Sequence, residues 1–393
     1  MKIKTFKVER WMNDYEDEAV YNLGETCIDS LTIRELLEIG GYDPDRFMSE
    51  LADTRLTYSH IFGSPEFKSG VAALYENIEP HQVLPCHGAT GANAMVLETL
   101  IEPTDNMISV MPTYQQHYSI PEAIGAEVRI LQLTEENDYL PDIEELKKLV
   151  DENTKMITVN NPNNPTGSWI PIESMKEIAE VAKSVDAYLL CDEVYRGIAE
   201  DESYMYSVTD LYEKAISVGS MSKIFSLAGL RMGWIATRDE YALNECMERR
   251  DYNTISCGVI DDKLASIALA NKDKIFARNR QILNNNRAIL DKWVNETPEV
   301  NLRESVQERK DKWVNETPGV HYKKPVAGTT ALVYYDKDIP SYELCVRLIK
   351  EKGLLFTPGS AFEMEGAVRI GYAFDSKLLK QGLDIFAEFL AEL

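Results

Sequence analysis

From about Val83 to Thr237 the chain alternates short apolar runs of strand length with longer amphipathic stretches. The runs Val83-Leu84, Met107–Met111, Val128–Leu133, Met156–Val159, Ala187–Cys191, Ala215–Val218 and Trp234–Ala236 predict seven strands. Between two of them, Met175, Ile178, Ala182 and Val185 recur at offsets 0, 3, 7 and 10, which sets them on one face of a helix. Strands that alternate with helices predict an α/β fold, with a mainly parallel sheet covered on both sides.

After that region the character changes. Val326–Tyr335 and Val368–Tyr372 read as strands, and the chain closes on a helix whose Leu379, Leu383, Phe386 and Leu390 share a face. This tail, together with the N-terminal segment, predicts a smaller α+β domain. The expected division is a segment 1–45 packing with the small domain, a large domain 46–275, and a small domain 276–393. A helical stretch over Asp261–Trp293 is expected to link the two. The octapeptide DKWVNETP stands at Asp291–Pro298 and again at Asp311–Pro318, a displacement of 20 residues. Two copies are too few for a solenoid, so 291–318 reads as a local tandem duplication, either extending a surface helix or forming a long loop.

Composition narrows the classes. At 393 residues, with 44% hydrophobic and 27% charged residues, the chain is that of a globular protein with a substantial core. A net charge of −24 disfavours nucleic acid and anionic lipid as partners. Met1–Asp17 lacks the apolar stretch of a signal peptide, and no apolar run is long enough to cross a membrane. The six cysteines are scattered without a C-x-x-C pair, as expected of reduced thiols in the cytoplasm. The five histidines show no zinc-ligand spacing, so no metal is expected.

The densest candidate chemistry is Ser220-Met221-Ser222-Lys223, with Arg231 eight residues on in Gly229-Leu-Arg-Met-Gly-Trp234. Most lysines are solvated surface charges. This one follows an apolar strand, where dehydration is expected to lower its pKa and make the amine nucleophilic toward a carbonyl. The neighbouring hydroxyls and Arg231 are suited to a phosphate. In Tyr188-Leu-Leu-Cys-Asp192-Glu-Val-Tyr195 an apolar run ends in a carboxylate, at the sheet edge where open α/β proteins bind ligands. Asp192 is either a helix cap or core ion pair, or the group that keeps a pyridine-type nitrogen protonated so that the ring accepts electrons.

Four further segments fall at similar places. Asn160-Asn-Pro-Asn-Asn164-Pro-Thr-Gly167 is a turn by composition, yet it follows the Met156–Val159 strand directly. There Asn164 offers an amide donor, and Tyr195 a second donor. His87-Gly-Ala-Thr-Gly-Ala92 opens a helix with small residues that let backbone N–H groups approach a phosphate. Tyr114, in Met111-Pro-Thr-Tyr114, is either core packing or a ring that stacks on a planar ligand. Arg369, in Ala367-Val-Arg-Ile-Gly371, lies within an apolar strand and needs an anionic partner such as a substrate carboxylate.

Taken in order, the segments G-A-T-G-A, P-T-Y, N-P-N-N-P-T-G, D-E-V-Y, S-M-S-K, G-L-R-M-G-W and V-R-I-G resemble the class I/II aminotransferases. These are fold-type-I enzymes of pyridoxal 5′-phosphate (PLP), and the likeness runs from Asn22 to the end of the chain. It implies a PLP-dependent transferase fold: a large domain with a mainly parallel seven-stranded sheet between helices, and a smaller α+β domain. It further implies that Lys223 holds the cofactor as a Schiff base and later moves the substrate proton. Asp192 would pair with the ring nitrogen, Asn164 and Tyr195 would bond the ring oxygen, and Tyr114 would stack on the ring. Gly88, Ala89, Thr90, Ser220, Ser222 and Arg231 would hold the phosphate end, joined by Tyr58 from a partner subunit in a homodimer. Arg369, with Asn164 and Gly24, would bind the amino-acid substrate.

The reaction so implied moves an amino group between an α-amino acid and a 2-oxo acid. Asn22–Ser30 and Gly40–Asp45 depart from the common aspartate and aromatic transaminases and are similar to a capreomycidine-synthase-like subgroup. That leaves a PLP-dependent lyase or cyclase on the same fold as the alternative. A cofactor-sensing transcription regulator would need an added DNA-binding domain, and the acidic residues ahead of His87 belong instead to the resemblance.

Overall fold

The computed structural model describes residues 2–58, 60–198, 206–296 and 320–393. After a two-residue strand, β1 (Tyr21–Asn22), come seven longer ones. They are β2 (Val83–His87), β3 (Asn106–Met111), β4 (Glu127–Gln132), β5 (Thr154–Asn160), β6 (Tyr188–Asp192), β7 (Ala215–Ser220) and β8 (Met232–Thr237). Each of the seven apolar runs of the sequence coincides with one of these strands, with only Leu133 and Ala187 one residue outside β4 and β6. They form one sheet in the order β2-β8-β7-β6-β5-β3-β4. The five strands from β7 to β4 pair in parallel, and only β8 runs against its neighbours β7 and β2. The fold is α/β with a mainly parallel sheet.

Alternate residues of each strand feed opposite cores. Met107, Met156, Leu190 and Ile216 pack with Met95 and Val96 of the helix Gly88–Leu100. Ile108, Ile157, Leu189 and Ala215 pack with Met175, Ile178 and Ala182 of the helix Ile172–Ser184. Each such Met, Val, Leu or Ile side chain, fully buried, contributes about 1.5–3 kcal/mol relative to exposure. Val185 does not complete the predicted helix face. It is half-buried just past the helix end, where Asp186 turns left-handed (φ 59°) to start β6.

The C-terminal part holds β9 (His321–Tyr322), β10 (Thr330–Tyr334), β11 (Leu354–Leu355), β12 (Thr357–Pro358) and β13 (Ala367–Gly371). Four of them form an antiparallel sheet, β12-β13-β10-β9. The terminal helix Ser376–Glu392 buries Leu379, Leu383, Phe386 and Leu390, as its spacing predicts. The N-terminal residues join this part: β1 pairs in parallel with β11, and the Trp11 indole donates to the Phe356 carbonyl at 2.8 Å.

Two expected elements are shorter than their apolar pattern. The strand expected over Val326–Tyr335 begins at Thr330, because Val326 and Ala327 both donate their N–H to the Gly167 carbonyl and Gly328 turns left-handed at φ 78°. The helical stretch Asp261–Trp293 is two helices, Val259–Ala270 and Lys272–Glu296, separated at Asn271, whose amide donates to Ile267 O. The first repeat copy ends the second helix through Glu296. The other copy and the chain between them lie outside the described residues.

One glycine decides where the N-terminal segment crosses the antiparallel sheet. The Gly371 N–H donates to Leu23 O at 2.8 Å, and a Cβ at Gly371 would stand 1.8 Å from Glu25 O. Only a residue without a side chain lets the segment Leu23–Glu25 cross β13 there. That crossing carries Gly24–Cys27 to the face of β13 that bears Arg369.

Candidate active site

The carboxyl ends of β3, β5, β6 and β7 open onto one cavity of about 480 Å³, the topological place for a ligand in an open parallel sheet. Asp192 closes β6 and is buried. Its Oδ2 accepts from the Asn93 amide at 2.8 Å, and the His117 imidazole lies 3.7 Å away. Its Oδ1 accepts from the Val194 N–H at 3.2 Å, so Asp192 caps a turn rather than a helix. Neither lysine nor arginine pairs with it among the described residues. Of the two readings of Asp192, the helix cap is not what the structure shows; the carboxylate is buried beside Asn93 and His117 and lines the cavity.

Asn160 ends β5 and ties the Asn-rich turn to β6, donating to Asp192 O at 2.9 Å and accepting the Asn164 N–H at 2.7 Å. That fixes the Asn164 side chain on the cavity wall beside Tyr195, which is 2% exposed. Tyr114 follows β3; its hydroxyl donates to Glu9 at 2.6 Å, and burial with the Glu9 charge pushes its pKa up.

Lys223 follows β7 and is half-buried. Its Nζ donates to Thr26 Oγ1 at 2.5 Å and lies 3.7 Å from Cys27 Sγ. The expected lowering of its pKa is reversed. Burial does pull it down, but the opposing influence of Tyr195, Cys27 and Glu25 leaves it above the ordinary lysine value. Burial in turn raises the Cys27 thiol, against the pull of Lys223.

The helix Gly88–Leu100 points its N-terminus at the same cavity, with Ala89 and Thr90 on the wall beside Ser220, Ser222 and Arg231. Two glycines permit this close approach. A Cβ on Gly88 (φ 67°) would meet Arg231 Nη2 at 2.9 Å, and one on Gly233 would meet the Gly88 carbonyl carbon at 2.5 Å. Gly88 itself lies behind the wall, under the arginine. Arg231, in a left-handed turn at φ 50°, donates to Ala228 O at 3.0 Å and has no carboxylate partner among the described residues.

At the opposite end Arg369 is 2% exposed. Its guanidinium donates to Gly24 O at 2.7 Å, Thr357 Oγ1 at 2.9 Å and Asn164 Oδ1 at 3.2 Å, while its Nε has no partner. Burial pulls its pKa down to about 10, against the nearby Tyr195, Glu9 and Tyr114. No carboxylate neutralises it among the described residues. Tyr58 is 65% exposed and does not reach this cavity. It lines a separate depression that shares Arg231 with the first.

The family model for aminotransferases of class I and II matches residues 43–386. The chain belongs to this family. A crystal structure of a PLP-dependent aminotransferase from Streptococcus suis is 42% identical, covers 100% of this chain and 99% of its own, and superposes with a TM-score of 0.91. Capreomycidine synthase of Streptomyces vinaceus is 24% identical over 98% of this chain and 93% of its own length. An aspartate aminotransferase of Pyrococcus horikoshii is 27% identical over 83% of this chain and 81% of its own.

The cofactor of an aminotransferase of this family is PLP, and the cavity fits it. A phosphate needs unpaired donors, and it finds a helix N-terminus, two buried serines and an arginine without an acid partner. A protonated ring nitrogen needs a buried carboxylate, which Asp192 supplies; an aldehyde needs a primary amine, which Lys223 supplies. Several residues of this aminotransferase site escaped the sequence reading. Phe6 just before the helix Lys7–Tyr15, Val8, Glu9 and Met12 within it and Glu16 after it line the cavity, and Thr26, Cys27 and Asn93 join them. The one available signal was for Asn93, which stands three residues after Thr90 on the same helix face.

Proposed function

We propose that this aminotransferase moves the amino group of an α-amino acid to a 2-oxo acid, with Lys223 as the covalent anchor and proton carrier. The observation that carries the reading is the sharing of one cavity by the Lys223 amine, the Asp192 carboxylate and the Arg369 guanidinium. When bound, PLP supplies an aldehyde that condenses with amines and a ring that withdraws electrons from the adjacent carbon. Everything else is work for the protein. Asp192, held by Asn93, keeps a proton on the ring nitrogen. Asn164 and Tyr195 would bond the ring oxygen, and Tyr114 would pack against the ring. Ala89 and Thr90, with Ser220, Ser222 and Arg231, hold the phosphate, and Gly88 gives the arginine room.

Arg369 grips the α-carboxylate, with Gly24 and Asn164 fixing the guanidinium. The Lys223 amine would take and hold the substrate's Cα proton; a positioned base of this kind contributes about 10²–10⁴-fold. Thr26 Oγ1 holds that amine in place.

The active unit is proposed to be a homodimer in which Tyr58 completes the partner's phosphate site. Its 65% exposure beside Arg231 supports this. The domain limits proposed are 1–45, 46–275 and 276–393. A cytoplasmic place is supported by six free cysteines. No helix among the described residues is long and apolar enough to cross a membrane.

The test is Lys223→Ala, expected to lose the imine absorbance of the holoenzyme and nearly all turnover; retention of both sinks the assignment. Dependence on a 2-oxo acid acceptor separates nitrogen transfer from elimination or cyclisation, which need no acceptor.

A further inference from the structure

The turn that leaves β4 is strained, yet it lies outside the cavity. Asp138 and Tyr139 are consecutive non-glycine residues in the left-handed region, at φ 55° and 56°. Such backbone persists only where surrounding contacts over-determine it. Here those contacts are specific. The Asp138 carboxylate pairs with Lys323, just past β9. The Tyr139 carbonyl accepts from Ser168 Oγ at 3.3 Å, and its side chain is 1% exposed. Its hydroxyl meets the Tyr334 hydroxyl of β10 at 2.5 Å. His321 of β9 stacks on the Tyr334 ring, with centroids 4.8 Å apart and planes 9° apart. Burial, with Glu135 and Glu136 nearby, pushes the Tyr139 phenol up and that of Tyr334 up to about 12. Both therefore keep their protons at neutral pH, and one donates to the other.

Both ends of this contact lead to the cavity. Tyr334 pairs with Ala367, and in the same ladder Leu332 pairs with Arg369. On the other side, Ser168 Oγ lies 2.9 Å from Thr166 Oγ1, which donates to Asn163 Oδ1 at 2.7 Å. Asn163 precedes Asn164, whose Oδ1 accepts from Arg369 at 3.2 Å. Val326 and Ala327 donate across the same junction to Gly167 O, at 2.9 and 3.0 Å. The antiparallel sheet thus meets the Asn-rich turn inside the cavity through Arg369 and Asn164. It is tied to that turn again outside the cavity, through Tyr334 and Tyr139. One attachment leaves a sheet free to swing about it; a second, at a distance, fixes its angle.

We propose that Tyr139 and Tyr334 are positioning residues, whose hydroxyl pair pins the antiparallel sheet to the Asn-rich turn and so holds Arg369 where the substrate carboxylate docks. This rests on the reading of Arg369 as the carboxylate grip.

Tyr139→Phe and Tyr334→Phe each remove the bond and keep the ring, so either variant decides the matter if the other fails to fold. The PLP-loaded proteins are compared in the dissociation constant of 2-hydroxyhexanoic acid, in KM and kcat, and in amide exchange over 326–334. Losing one neutral hydrogen bond lowers the binding-competent fraction by no more than about fivefold. The dissociation constant and KM are therefore expected to rise about three- to fivefold in both variants, with kcat and cofactor content unchanged. The Val326 and Ala327 amides are expected to exchange faster. The double variant is expected to be no worse than either single one, because there is only one bond to lose. A merely structural bond would lower Tm and leave binding as it was. Unchanged hydroxy-acid binding, unchanged exchange, a fall in kcat alone or additive losses in the double variant overturns the proposal. A wild-type protein that binds no 2-hydroxy acid, with exchange still faster in the variants, upholds the pin and overturns the carboxylate role of Arg369.

Discussion

Lys223 Nζ lies 2.5 Å from Thr26 Oγ1, across 197 residues of chain, and the contact joins the loop that crosses β13 to the turn that follows β7. The same loop passes Gly24 O to Arg369. One short segment therefore positions both the amine proposed to move the proton and the guanidinium proposed to grip the carboxylate.

Thr26 acts through Lys223, so its removal should show in turnover more than in substrate binding. Thr26→Val is expected to lower kcat about tenfold, the loss of one good hydrogen bond to a charged group, with KM changed much less. Thr26→Ser restores the hydroxyl and should recover most of the rate. Steady-state kinetics on the three proteins decide it: equal kcat values, or a serine variant as slow as the valine one, remove the role.

Asp192→Asn keeps the size of the side chain and removes the charge proposed to hold a proton on the ring nitrogen. The Asn93 amide, now 2.8 Å from the carboxylate, would face either end of the new amide. PLP should remain bound, since the phosphate donors are untouched, while kcat falls about 10²–10⁴-fold. Cofactor content by absorbance and kcat are measured on the same preparation. Wild-type turnover in a fully loaded variant counts against the assignment.

The parallel sheet was legible because its strands are buried on both faces and so appear as apolar runs, and because each candidate residue stands just past such a run. Asp192, Asn164 and Lys223 are each one to five residues beyond a predicted strand, so topology alone brings them together. The residues that escaped notice have no local mark. Glu9 and Glu16 sit among charges that read as a solvated face, and Thr26 and Cys27 meet Lys223 only because Gly371 lets their loop cross β13. The direction of the Lys223 pKa was misjudged for a similar reason: dehydration follows from the strand, but Tyr195, Cys27 and Glu25 come from elsewhere in the chain.

Gly233 offers a test of the phosphate end that leaves every donor in place. A Cβ there would stand 2.5 Å from Gly88 C and 2.8 Å from Ala89 N, both backbone atoms that cannot turn aside. Gly233→Ala should therefore displace the start of the Gly88–Leu100 helix, at a cost of about 1–3 kcal/mol in stability. PLP should dissociate about tenfold more readily, as read by dialysis and absorbance. Unchanged affinity and unchanged Tm would mean that the helix start does not set the phosphate site.

Arg369 gives a pH dependence with a definite sign. Burial pulls its pKa down to about 10, and the guanidinium is charged below that value and neutral above it. Carboxylate binding should thus hold steady from neutral pH upward and weaken as pH rises past about 10. A 2-hydroxy acid reports this cleanly, because it has no amine of its own to titrate and does not condense with the cofactor. Arg369→Lys replaces a fixed fork of donors by one flexible ammonium. The dissociation constant for the hydroxy acid should rise about 10–100-fold, with KM for the amino acid following it. Binding that is equally tight in the lysine variant, or that strengthens above pH 10, would place the carboxylate elsewhere in the cavity.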